Sequence, residues 1–85
     1  MNVLTSKKFE KMFKKCPRDI KNKFIERLKI FKDNKYNLSL NNHALSGKLS
    51  GLRSINISGD WRAIFEEGSY GIILIAIGTH GQLYE

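Results

Sequence analysis

Few side chains in this chain can do chemistry, and most of them fall late in the sequence. His43, Arg53, Asp60, Arg62, His80 and Tyr84 are the candidates, with Trp61 as a flat surface for stacking. An imidazole has an ordinary pKa of about 6.5 and suits proton transfer near neutral pH. A guanidinium clamps phosphate and stabilises charge developing on it. Cleaving RNA without a metal needs those parts: a base for the 2′-hydroxyl, a cation for the charge on phosphorus, and an acid for the 5′-oxygen. Two His and one Cys, in no zinc-like spacing, argue against a metal site. Ser58-Gly59-Asp60 lies between two strand-like runs and not before a helix, so it is not a phosphate-binding glycine loop. Taken singly, each candidate has a commoner structural use: a His after Gly-Thr as a surface or capping residue, an Asp in a tight turn, a Trp in the core. Their combination is the signal.

Three strand-like runs must bring these residues together. Ile55 and Ile57 alternate with Ser54 and Asn56; Trp61, Ala63 and Phe65 alternate with Arg62 and Glu66; and the stretch from Gly71 to Ile77 is apolar on both faces. Ile64 breaks the alternation in the second run. Ser58-Gly59-Asp60 and Glu67-Gly68-Ser69 supply the turns, Gly68 being the residue expected at positive φ. The result is a three-stranded antiparallel meander.

Ahead of it, Phe9, Met12, Phe13 and Cys16 fall at helical spacing behind a cap at Thr5 or Ser6. Pro17 ends that helix and opens a second, on which Ile20, Phe24, Leu28 and Phe31 repeat and Ile25 widens the stripe. Met1 to Leu4 can form an edge strand. Asp33-Asn34-Lys35 ends the second helix, and the segment that follows to Ser50 reads as a loop, with Leu40, Leu45 and Leu49 as anchors. The predicted order is β-α-α-β-β-β: an α+β fold in one domain, residues 1–85, with a helical hairpin on one face of a twisted, mainly antiparallel sheet.

Composition agrees with one small core, at 41% hydrophobic residues and nine aromatics in 85 positions. A lone Cys16 favours a reducing compartment, and no apolar run reaches the ~20 residues that span a bilayer, so a cytoplasmic protein without a membrane is expected. The net charge of +7 is uneven. Residues 1–35 hold twelve Lys and Arg against four acidic residues, whereas the other fifty hold three against four. That basic third suits a polyanion, with Lys11, Lys14 and Lys15 as candidate contacts, or serves as a solvated face.

The run His43-Ala-Leu-Ser-Gly-Lys-Leu, then Leu52-Arg53, Gly59-Asp60-Trp61-Arg62, Ile77-Gly78-Thr79-His80 and Leu83-Tyr84 resembles the RelE/ParE superfamily of bacterial type II toxins, closest to the YafQ-like branch. The resemblance covers essentially the whole chain. It implies a RelE-like fold and an mRNA endonuclease acting on the ribosome without cofactor or metal. Carried over by position, His80 resembles the principal catalytic His acting as acid. His43 matches a second His, and Asp60 an acidic residue that orients a His or serves as base. Tyr84 matches an aromatic position at the substrate, and Arg53 and Arg62 match basic positions useful for phosphate. Asn56 departs from the pattern, standing where the YafQ branch has a His: either His43 and His80 suffice, or Asn56 positions substrate by hydrogen bonds, or activity is reduced. The implied partners are a cognate antitoxin, acidic in its neutralising segment, and the ribosome with its mRNA, the toxin alone being a monomer. Two other readings share the scaffold: a ParE-like toxin that poisons DNA gyrase, and an inactive toxin that binds only its antitoxin.

Overall fold

The computed structural model describes residues 2–84, so Met1 and Glu85 lie outside it. Strand β1 (Asn2–Thr5) leads into helix α1 (Lys7–Lys14) and helix α2 (Arg18–Asp33). Two 3-10 turns, Leu38–Leu40 and Gly47–Leu49, flank a two-residue strand β2 (His43–Ala44). Then come β3 (Arg53–Ser58), β4 (Trp61–Gly68), β5 (Gly71–Thr79) and a short helix α3 (His80–Tyr84). The sheet runs β1-β5-β4-β3-β2, parallel only where β1 meets β5. The predicted hairpin of helices, edge strand and meander are all present, and β2 and α3 are additions to the predicted order.

Local chemistry sets the helix ends. Of the two cap candidates it is Ser6 that caps α1: its Oγ accepts from Phe9 N–H (3.0 Å) and donates to the Ile75 carbonyl (2.9 Å). That second bond meets an irregularity. Ile64 pairs with Ala76 and Phe65 with Leu74, so Ile75 is an extra residue bulged out of the β4–β5 ladder. Ser6 thus joins helix start and bulge. Pro17 stands at the cap position of α2, where its missing N–H costs nothing.

The helices cover one face of the sheet. Phe9, Cys16, Ile20, Phe24 and Phe31 pack on Ile55, Ile57, Ala63, Phe65, Ile72, Leu74 and Ile77, all under 7% exposed. Phe31 meets Phe65 edge-on at 5.1 Å between centroids, and Phe9, Phe13 and Phe24 form a cluster at 5.4–5.8 Å. Leu40 is fully buried, and Leu45 and Leu49 are half-buried, as anchors of the long loop. Two expectations fail. Ile25 is 49% exposed, because the apolar stripe of α2 widens on its other flank, where Ile30 packs against the core. The second turn falls at Ser69-Tyr70, β4 continuing through Gly68, and the positive φ there belongs to Gly71 (129°). A Cβ on Gly71 would collide with the Asn2 carbonyl, so glycine is what lets β1 pair at that point.

Candidate active site

The register places the site on the opposite face of the sheet from α1 and α2. Residues directly opposite one another in a ladder share a face. One row therefore runs His43, Ser54, Ile64, Ala76 from β2 to β5, and the next runs Asn56, Arg62, Gly78. Ile64 belongs to the first row, which is why it broke the alternation: α3 closes over this face as well. Ser54, Ile64 and Ala76 are all buried beneath it.

Helix α3 is built by a reciprocal cap. Thr79 N–H donates to Gln82 Oε1 (2.8 Å), and Gln82 N–H donates to Thr79 Oγ1 (3.3 Å). This is the Thr-x-x-Gln form of the capping box, and it is legible in the sequence as Thr79-His80-Gly81-Gln82. Four residues apart on the short helix, His80 and Tyr84 pack with ring centroids 4.6 Å apart and planes tilted by 55°. Tyr84 then reaches across β4, its hydroxyl 3.3 Å from Ser54 Oγ on β3. His80 N–H donates to the Asp60 carbonyl (3.0 Å), which ties the helix start to the β3–β4 turn.

A cleft of about 390 Å3 lies between α3 and the β2 edge, lined by Asn41, His43, Leu45, Arg62, His80 and Tyr84. It brings together four of the candidate residues. His43 is fixed by a 2.8 Å hydrogen bond from Nδ1 to the Asn41 carbonyl. Arg62 is fixed by Nη1, which donates to the carbonyls of Gly59 (2.6 Å) and Trp61 (3.0 Å). Among the described residues its other N–H groups donate to nothing and remain for an anion. His80 is exposed, directed away from the apolar interior. An adjoining pocket of about 350 Å3 shares Tyr84 and adds Lys48, a cation that the sequence reading did not select.

The remaining candidates are placed differently. Asp60 is exposed in the turn, and no hydrogen bond joins its carboxylate to either imidazole among the described residues. Asn56 sits beside Arg62 in the second row with Oδ1 buried and unpartnered, so it has an acceptor to spare on this face. Arg53 lies in the Phe65–Leu74 row on the helical face, where its Nε donates to Asn42 Oδ1 (2.9 Å); it is not part of the cleft. Trp61 also faces the helices, in a hollow with Met12, Cys16 and Ile77, and offers the cleft no stacking surface. Lys11, Lys14 and Lys15 are exposed at the end of α1. No three of His, Cys, Asp or Glu among the described residues could hold a metal ion together. No described helix is long and apolar enough to cross a membrane.

The sequence model of the family described as "Bacterial toxin of type II toxin-antitoxin system, YafQ" matches residues 1–85. The chain belongs to the YafQ family of type II toxins. No curated protein matches it. Solved structures carry the same fold. YafQ from E. coli strain BL21(DE3) superimposes with a TM-score of 0.85 at 19% identity, over 99% of this chain and 98% of that one. YafQ in the E. coli DinJ-YafQ toxin-antitoxin complex gives 0.82 at 20% identity, over 99% and 97%. The RelB-RelE antitoxin-toxin complex from Methanococcus jannaschii gives 0.77 at 22% identity, over 96% and 95%. At such identities these likenesses establish the RelE-like fold, and the family match establishes a toxin of a toxin–antitoxin system.

Proposed function

We propose that this YafQ-family toxin is a ribosome-dependent mRNA endonuclease that cleaves without a metal. The observation that carries the reading is the convergence of two imidazoles and a guanidinium with unused donors on one cleft. One imidazole takes the 2′-hydroxyl proton as that oxygen attacks the adjacent phosphorus. Arg62, joined by Lys48 from the neighbouring pocket, stabilises the charge that builds on the phosphoryl oxygens. The other imidazole protonates the departing 5′-oxygen, leaving a 2′,3′-cyclic phosphate and a free 5′-hydroxyl. Tyr84, packed at a tilt against His80, presents its aromatic ring to a base. Asn56, in place of the family His, positions substrate from the row beside Arg62. Asp60, in the β3–β4 turn, acts on His80 through the backbone bond that its carbonyl accepts from the start of α3.

The partner is an antitoxin with an acidic neutralising segment, the electrostatic complement of a +7 chain. The complexes solved for the E. coli and M. jannaschii relatives support this reading. The exposed Lys11, Lys14 and Lys15 supply contacts to ribosomal RNA. The test is to map new 5′ ends on mRNA translated by purified ribosomes with the toxin added. Cuts abolished by His80→Ala are expected. Intact messages together with a supercoiling defect would sink the proposal and favour a gyrase poison.

A further inference from the structure

A backbone carbonyl ahead of β2 determines which proton His43 can handle. Asn41 ends the Leu38–Leu40 turn at φ 46°, ψ 48°, with its N–H on the Leu38 carbonyl (3.2 Å). Among the described residues it is the one non-glycine residue with positive φ. Asn tolerates that left-handed region better than most residues, though still at a cost. The conformation turns the Asn41 carbonyl onto His43 Nδ1 at 2.8 Å. A carbonyl oxygen only accepts, so Nδ1 carries the proton. In neutral His43 the lone pair is then confined to Nε2. Asn41 and His43 both line the cleft with Arg62 and His80.

We infer that the Asn41 carbonyl holds neutral His43 in its Nδ1–H tautomer, which makes Nε2 the proton acceptor of the cleft and Asn41 a positioning residue for the base. The catalytic consequence rests on the nuclease reading above. His43 Nε2 takes the 2′-hydroxyl proton, and the freed oxygen pair forms the new bond to phosphorus. The bond from phosphorus to the 5′-oxygen breaks, and that oxygen takes its proton from His80. No protein acceptor holds a ring nitrogen of His80 among the described residues, so neither nitrogen is committed to the protein and its ring is left to serve substrate. Strain at Asn41 is thereby spent on orientation, as at other functional sites where unusual backbone persists.

Long-range 1H–15N correlation spectra of the 15N-histidine-labelled toxin, at a pH where imidazoles are neutral, test the tautomer directly. Nε2 of His43 is expected to be the unprotonated nitrogen. Nε2–H, or the mixture of a free imidazole, overturns the inference without any variant being needed. Asn41→Gly adopts positive φ freely and is expected to keep the tautomer. Asn41→Val, β-branched and disfavoured there, is expected to lose the tautomer and lower kcat at least about tenfold with KM unchanged, a part of the 10²–10⁴ that a positioned base contributes. A Val variant that loses the tautomer yet cleaves like wild type refutes the positioning role. A wild-type toxin that shows the tautomer but cuts no message refutes the nuclease reading and leaves the tautomer assignment standing.

Discussion

The two faces of the sheet obey different rules. The face under α1 and α2 is a close-packed aromatic and aliphatic core in which nearly every side chain is buried and shape is what counts. The face under α3 is half open, with a buried serine, an unpaired asparagine oxygen and exposed imidazoles above an apolar floor. One face holds the strands at fixed spacing; the other uses that spacing to aim side chains from β2, β4 and α3 at a shared cleft. Stability and chemistry are thus separable by face, and substitutions can be chosen to move one without the other.

The largest separation is expected at His80. His80→Ala should lower single-turnover cleavage on ribosomes by about 10²–10⁴, while the urea midpoint stays near wild type; a matching loss of stability would break the distinction. Phe65→Ala should do the reverse, since it empties a fully buried site against Phe31 and costs about 3–5 kcal/mol in denaturant unfolding. Wild-type stability in that variant would mean that the helical face is not the core. Reversing charge at Lys11, Lys14 and Lys15 touches neither core nor cleft and should weaken ribosome cosedimentation more at low than at high salt. Unchanged binding would reduce those lysines to a solvated face.

Smaller effects sharpen the boundary. Tyr84→Phe removes the long bond to Ser54 but keeps the ring on His80, so a cost below about 1 kcal/mol and near-normal cleavage are expected. A collapse of activity would show that the hydroxyl, not the ring, serves the reaction. Burial pushes the Cys16 thiol up, with Lys21 opposing. A group raised on folding stabilises fully below its unfolded value and loses that contribution as pH rises through the folded value. Stability should therefore fall above about pH 8.5, the ordinary thiol value, and fall less steeply in Cys16→Ala; equal slopes between pH 8 and 10 would exclude the thiol as a cause.

Much of this arrangement was legible in the residues. The stripes Phe9-Met12-Phe13-Cys16 and Ile20-Phe24-Leu28-Phe31 specify the helices because period 3.6 over many residues has no competing reading. Alternation in β3 and β4 also holds, and its parity decides which side chains reach the cleft. If Ile55 and Ile57 face the helices then so does Arg53, and if Ala63 and Phe65 do then so does Trp61. That parity excludes both from the cleft, close as they lie in sequence to Asp60 and Arg62. Strand β2 could not be seen, since two residues carry no period, and the bulge at Ile75 depends on Ser6, 69 positions away. Helix α3 is too short for periodicity, yet Thr79-x-x-Gln82 announced it. Asn41 gave no signal, because its role lies in a carbonyl that every residue has.

Strand β1 lies against Gly71–Leu74 and nothing else in the sheet. During synthesis, the opening residues must wait for almost the whole domain to emerge before they find their ladder partner, and the loop they close is long. The sheet therefore gains its parallel edge only after nearly the whole chain has been made.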